Sequence, residues 1–208
     1  PGDETGKLVG AISLAVGFQN ACVIRAVGQT WCWGQNDRDQ LGDGAGNVAR
    51  RPTVWRSDAA MAWIDVGWSQ VCGGTTGGAL LCFGDNREGQ LGSGSTSPDW
   101  SGVPVTLAWG QGARGATGGV RHRCVRGGDA RVRCVGSDEE GSLGDGPTLH
   151  TTVCASSVTC SVTPVAVTLG TVSDVDTGAP HFTLGMNVPV TVGGGGGGGS
   201  GGTTTTGG

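Results

Sequence analysis

The chain of 208 residues predicts an all-β fold built from β-propeller-type repeats of about 50 residues, three blades followed by a partial fourth. Three observations carry this reading. A segment recurs three times: Trp-Cys-Trp-Gly-Gln-Asn-Asp-Arg-Asp-Gln-Leu-Gly-Asp-Gly at 31–44, Leu-Cys-Phe-Gly-Asp-Asn-Arg-Glu-Gly-Gln-Leu-Gly-Ser-Gly at 81–94, and Arg-Cys-Val-Gly-Ser-Asp-Glu-Glu-Gly-Ser-Leu-Gly-Asp-Gly at 133–146. Each recurrence has a second cysteine ten residues upstream, and a glycine at or beside the midpoint (Gly28, Gly78, Gly128) predicts a hairpin between the two cysteines. No stretch carries a convincing helical period. A unit of this length cannot bury its own apolar faces, so neighbouring units must stack.

In order along the chain, the repeats span about 8–58, 59–110 and 111–172, with a partial repeat at 173–192 and a Gly/Thr-rich tail at 193–208. The period is 50 residues from Cys32 to Cys82 and 52 from Cys82 to Cys134. Pro52, Pro104 and Pro164 fall between repeats, where a strand leaving one sheet tolerates a missing donor. The third repeat carries about eight extra residues between Gly146 and Pro164, with Cys154 and Cys160 inside, which predicts a stapled protruding loop. The tail has the composition of a flexible linker.

Composition removes several classes. The chain holds 44 glycines, no tyrosine and only 14% charged residues, yet glycine does not recur every third position as in collagen. No apolar run approaches the roughly 20 residues of a membrane-spanning helix. A net charge of −4 gives no basic footprint for nucleic acid. No Gly-x-Ser-x-Gly elbow, His-Glu-x-x-His pair or phosphate loop occurs, and Asp43, Asp85 and Asp145 read as turn residues. The expectation is a non-enzymatic protein with no cofactor and no metal.

The cysteines form four local pairs: Cys22 with Cys32, Cys72 with Cys82, Cys124 with Cys134, and Cys154 with Cys160. In a hairpin centred between them, the first three pairs face each other across the strands at a spacing that suits a disulfide. Buried free thiols and metal binding are the alternatives. The spacing is not that of a zinc site, and His122, His150 and His181 lack matching partners in the sequence. Four disulfides imply an oxidising compartment, and a start at Pro1 suits a processed secreted protein.

The pattern Gly-x(4)-Cys-x(9)-Cys-[Trp/Phe]-Gly-x-Asn-x(3)-Gln-Leu-Gly-x-Gly resembles the regulator of chromosome condensation repeat family over roughly residues 8–192. Repeat three departs at Val135 and Ser142, and the partial repeat has Thr183 where cysteine would stand. The resemblance implies a propeller of four-stranded blades. Its nuclear members promote nucleotide exchange on a small GTPase, a role that disulfides fit poorly, so the secreted bacterial branch is the better likeness.

Propellers close with typically about four to eight blades, so three and a fragment leave the ring incomplete. The expectation is a structural or adhesive subunit of a bacterial extracellular or cell-surface assembly, partnered by other copies of itself or by another surface protein. A stand-alone glycan- or protein-binding propeller is the alternative, and an exchange factor follows from family analogy alone. Strand alternation groups Arg121, Arg123, Arg131 and Arg133 on one face of blade three, a candidate interface for an acidic surface on another chain or an acidic glycan. The strand containing Val188, Val190 and Val192 is a candidate for addition to a neighbour's sheet edge. Trp31 and Trp33 sit at repeat positions and read as core, whereas Trp68 and Trp100 are the candidates for ligand stacking.

Overall fold

The structure, a computed structural model, describes residues 9–44, 46–55, 59–146, 150–155, 157–168, 170–177 and 183–186. Three antiparallel four-stranded sheets follow one another along the chain. Blade one is β1 (Ala11–Val16), β2 (Asn20–Arg25), β3 (Thr30–Gly34) and β4 (Ala49–Val54). Blade two is β5 (Met61–Val66), β6 (Gln70–Thr75), β7 (Leu80–Asp85) and β8 (Trp100–Thr106). Blade three is β9 (Gly115–Gly118), β10 (His122–Arg126), β11 (Val132–Ser137) and β12 (Cys160–Ala166). A hairpin of β13 (Asp174–Thr177) and β14 (Thr183–Met186) follows in the partial repeat.

In each blade the central hairpin places its cysteines in direct register, Cys22 opposite Cys32, Cys72 opposite Cys82 and Cys124 opposite Cys134. All three pairs are disulfides with Cα atoms 4.1 Å apart, and Cys154 joins Cys160 in the insertion. The recurring glycine two residues after the second cysteine marks where the third strand slips register against the fourth. Gly34, Gly84 and Gly136 have φ of 110°, 98° and 108°, and a Cβ there would run into the carbonyl oxygen of Gln19, Ser69 or Arg121 respectively. Only glycine fits such a bend at such close backbone approach.

Blades stack face to face through apolar seams. The disulfide face of blade one, with Cys22, Ile24 and Cys32, packs on Ile64, Val66, Val71, Leu81 and Phe83 of blade two. The disulfide face of blade two meets Val125 of blade three, with Leu107 and Ala113 completing that cluster. The disulfide face of blade three meets Val175 of β13, so this strand takes the first position of the next blade. First strands touch in succession, β1 to β5, β5 to β9 and β9 to β13. The fold is therefore the propeller arrangement that the repeats predict.

Candidate interaction surfaces

The repeated Asn-x(3)-Gln-Leu-Gly loops are structural. Leu41 N–H donates to Asn36 Oδ1 at 2.9 Å, and Leu91 N–H to Asn86 Oδ1 at 3.3 Å. Asn36 Nδ2 donates to Asp43 Oδ1 at 2.8 Å, while Asn86 Nδ2 donates to the carbonyls of Ser95 and Pro98. The buried Gln40 and Gln90 accept through Oε1 from Arg38 and Glu88 N–H. Asp85 holds Arg87 in a two-point fork of 2.7 and 2.9 Å, which lifts the Arg87 guanidinium above its ordinary range. These side chains close turns and satisfy buried backbone.

Of the four arginines of blade three, Arg123 looks onto blade two, so at that position the expected external interface is corrected to an internal seam; Arg121 and Arg133 are partly exposed and Arg131 is exposed. Arg123 is fully buried, and its Nη1 donates to Asp65 Oδ2 on β5 at 2.7 Å. Burial pushes the Arg123 guanidinium down and Asp65 opposes that shift. On the same seam, Gln70 Nε2 donates to the carbonyls of Gly119 and His122, and Trp63 Nε1 donates to that of Ala113. Arg121 pairs with Glu139 at 3.5 Å, which ties the acidic loop at 138–140 into its own blade. Arg133 forks onto Asp129 at 2.8 and 3.3 Å. That fork, then the Arg131 N–H, holds the Asp129 carboxyl at about 2, and Asp129 in turn raises Arg133. Arg131 lines a cleft of about 390 Å³ with Arg133 and Thr168.

Trp68 is partly exposed and stacks on Phe18, ring centroids 3.6 Å apart and planes within 9°. Phe18 lies one period before Trp68, so the stack is a ladder between equivalent positions of adjacent blades. Trp100 is exposed with Arg38 5.4 Å from its ring centroid, a cation–π contact. Val188, Val190 and Val192, with the tail, lie outside the described residues.

On the face of blade one that points away from blade two, the cross-strand row Leu14–Val23–Trp31–Val54 crosses all four strands. Its centre, Val23 and Trp31, is buried, whereas Leu14 on β1 and Val54 on β4 are exposed. Leu14 and Val16 are 62% and 66% exposed, whereas Ile64 and Val66, one repeat later, are 9% and 7% exposed beneath blade one.

His150, which sequence reasoning left without partners, is placed by the insertion beside two carboxylates. Its Nε2 lies 3.0 Å from Asp145 Oδ2 and 3.6 Å from Asp138 Oδ2. Asp138 and Asp145 occupy the positions of Asn36 and Asp43 in repeat one. Sequence reasoning also missed Phe18 and Asp65. The offset of one period flags Phe18, but nothing in the sequence points from Arg123 to Asp65, because their contact depends on the stacking angle of two blades.

No protein-family model matches the chain, and no curated protein matches it in sequence. Solved structures do match. Prp20p from Saccharomyces cerevisiae, described with its binding to Gsp1p and histones, superposes with a TM-score of 0.69 and 18% identity over 81% of this chain and 41% of its own. The same yeast protein bound to Kap60 gives a TM-score of 0.69 at 18% identity, over 81% of this chain and 40% of its own. Human WBSCR16 gives 0.68 at 21% identity, over 80% of this chain and 43% of its own. The chain thus spans about two fifths of the length of these structures. The repeat motif and the superpositions together identify the fold as the β-propeller of the regulator of chromosome condensation type.

Proposed function

We propose that the chain is a non-enzymatic, protein-binding propeller segment that works by blade-to-blade docking. The observation that carries this is the exposed apolar surface that Leu14, Val16 and Val54 form on the edge strands of blade one among the described residues. Blades two and three lay their equivalent faces on the blade before them, so these edge residues have the polarity of part of a seam. The partner surface that fits is an apolar blade edge of a second copy of the chain. The propellers it resembles in fold bind proteins, namely Gsp1p, histones and Kap60, which supports protein binding as the class.

Four disulfides support an oxidising, extracellular setting, and no helix among the described residues is long and apolar enough to cross a membrane. A bacterial cell-surface assembly is the extension of the same reading. Light scattering across a concentration series tests it. The wild-type chain is expected to associate reversibly, and Leu14→Glu with Val16→Glu to shift it to monomer without loss of β signal in circular dichroism. A wild-type chain that stays monomeric throughout defeats the proposal.

A further inference from the structure

We propose that Asp138, Asp145 and His150 bind one divalent transition-metal ion, of which zinc is the probe. The inference starts from a difference between repeats. In repeat one Asn36 Nδ2 donates to Asp43 Oδ1 at 2.8 Å, an amide–carboxylate hydrogen bond with one negative charge and not two. In repeat three both positions are carboxylates, and the backbone geometry that held the asparagine persists, since Leu143 N–H donates to Asp138 Oδ1 at 3.1 Å. Two carboxylates are thereby set together where repeat one has Asn36 with Asp43 and repeat two has Asn86 with Ser93.

The insertion then supplies the third group. Asp138, Asp145 and His150 side chains are only 12%, 7% and 10% exposed, and one ligand atom of each lies within 4.8 Å of the others. At 3.0 Å the imidazole can hydrogen-bond Asp145, but at 3.6 Å it is out of range of Asp138 Oδ2. One ring nitrogen therefore serves one carboxylate, while a divalent ion would answer both. Four-coordinate zinc with bonds of about 2.0 Å sets its ligand atoms about 3.3 Å apart, close to both measured separations. An imidazole beside two carboxylates favours zinc-like ions over calcium or magnesium, which take all-oxygen shells.

The site is built to hold its shape. Asp138 N–H donates to Thr159 O at 2.8 Å, which fastens the motif loop to the stem of the insertion. Cys160 N–H donates to Thr152 O at 3.0 Å, and the Cys154–Cys160 disulfide closes the same stem two residues beyond Thr152. Three protein ligands leave a fourth position for water or for a donor from a partner.

The test uses the purified, chelator-treated chain, titrated with zinc against a chromophoric competitor and, separately, with calcium. The expected result is one saturable zinc per chain, no displacement by calcium, and a zinc-dependent rise in the unfolding temperature. Outer partners of a metal site are alone worth about 10–100-fold in affinity, so loss of a direct ligand should cost at least about as much. Asp138→Asn restores the asparagine of the other repeats and should keep the fold while removing zinc binding; His150→Gln should do the same. Absence of stoichiometric zinc binding by the wild type, or undiminished affinity in a folded Asp138→Asn or His150→Gln chain, overturns the proposal.

Discussion

Arg123 of blade three, with no exposed surface, reaches Asp65 of blade two through a single 2.7 Å contact from Nη1 to Oδ2. Val71 takes the place of Arg123 in repeat two, so the seam can be closed either by hydrocarbon or by charge. Removing either partner strands the other charge, but the Arg123 side chain has no exposure whereas that of Asp65 keeps 20% and can reach water, so loss of Asp65 is the costlier change. Asp65→Ala is therefore expected to destabilise the chain by about 3–5 kcal/mol. Arg123→Val should cost much less, and the double variant should track Arg123→Val. Urea denaturation of the three variants checks this; equal losses for both single variants would refute it.

Asp129 gives a pH-dependent signature. Its carboxyl is held at about 2 by the Arg133 fork first and the Arg131 N–H second, against a reference of 3.8. A depressed native value means that the contribution is complete above about 3.8 and is lost as pH falls through about 2. The pair is solvent-exposed, so the effect belongs to the hairpin and not to global stability. Carboxyl carbon NMR should give a midpoint near 2 in the wild type and one moved upward in Arg133→Gln. An unmoved midpoint would show that the fork does not set it.

Asn86→Ala removes an acceptor from Leu91 N–H and donors from two carbonyls in a loop whose interior is buried. Leu91 N–H is buried, whereas Ser95 and Pro98 are exposed residues whose carbonyls can turn to water. The expected loss is about 1–3 kcal/mol, with increased hydrogen exchange at Leu91. Exchange at Leu91 equal to that of the wild type would mean that the loop is held by its glycines alone.

The disulfides Cys22–Cys32, Cys72–Cys82 and Cys124–Cys134 lie in the seams, with their cysteines essentially without exposure. A closed loop of ten residues contributes about 2.7 kcal/mol on the chain-entropy model. Paired Cys72→Ala and Cys82→Ala should lower stability by that order or more, since burial is also lost. Reductant alone should leave these bonds intact until denaturant opens the seams. Thiol labelling after reduction, with and without denaturant, is the measurement; prompt labelling under native conditions would contradict it.

The repeat period, the hairpins and the cysteine registers were legible because each is local: ten residues and a glycine turn determine which cysteines face each other. The outcome for the arginines was not. Alternation correctly grouped Arg123 with Arg133 on one face, but whether that face looks outward or onto Asp65 depends on how one sheet stacks on the next. His150 was opaque for a related reason, since its distance from Asp138 is set by an irregular insertion. The substitution of Asp138 for the asparagine of repeats one and two was the visible sign that something there had changed.

All four disulfides close loops inside a single blade, and none joins one blade to the next. Under a stretching force, the seams and strand edges would have to yield while the covalent loops stayed shut. Each ten-residue loop hides roughly 35 Å of contour length at about 3.3–3.6 Å per residue. Pulled from its ends in an oxidising medium, the chain should lengthen in short blade-sized steps. The same chain, reduced while unfolded, should give steps longer by about that amount.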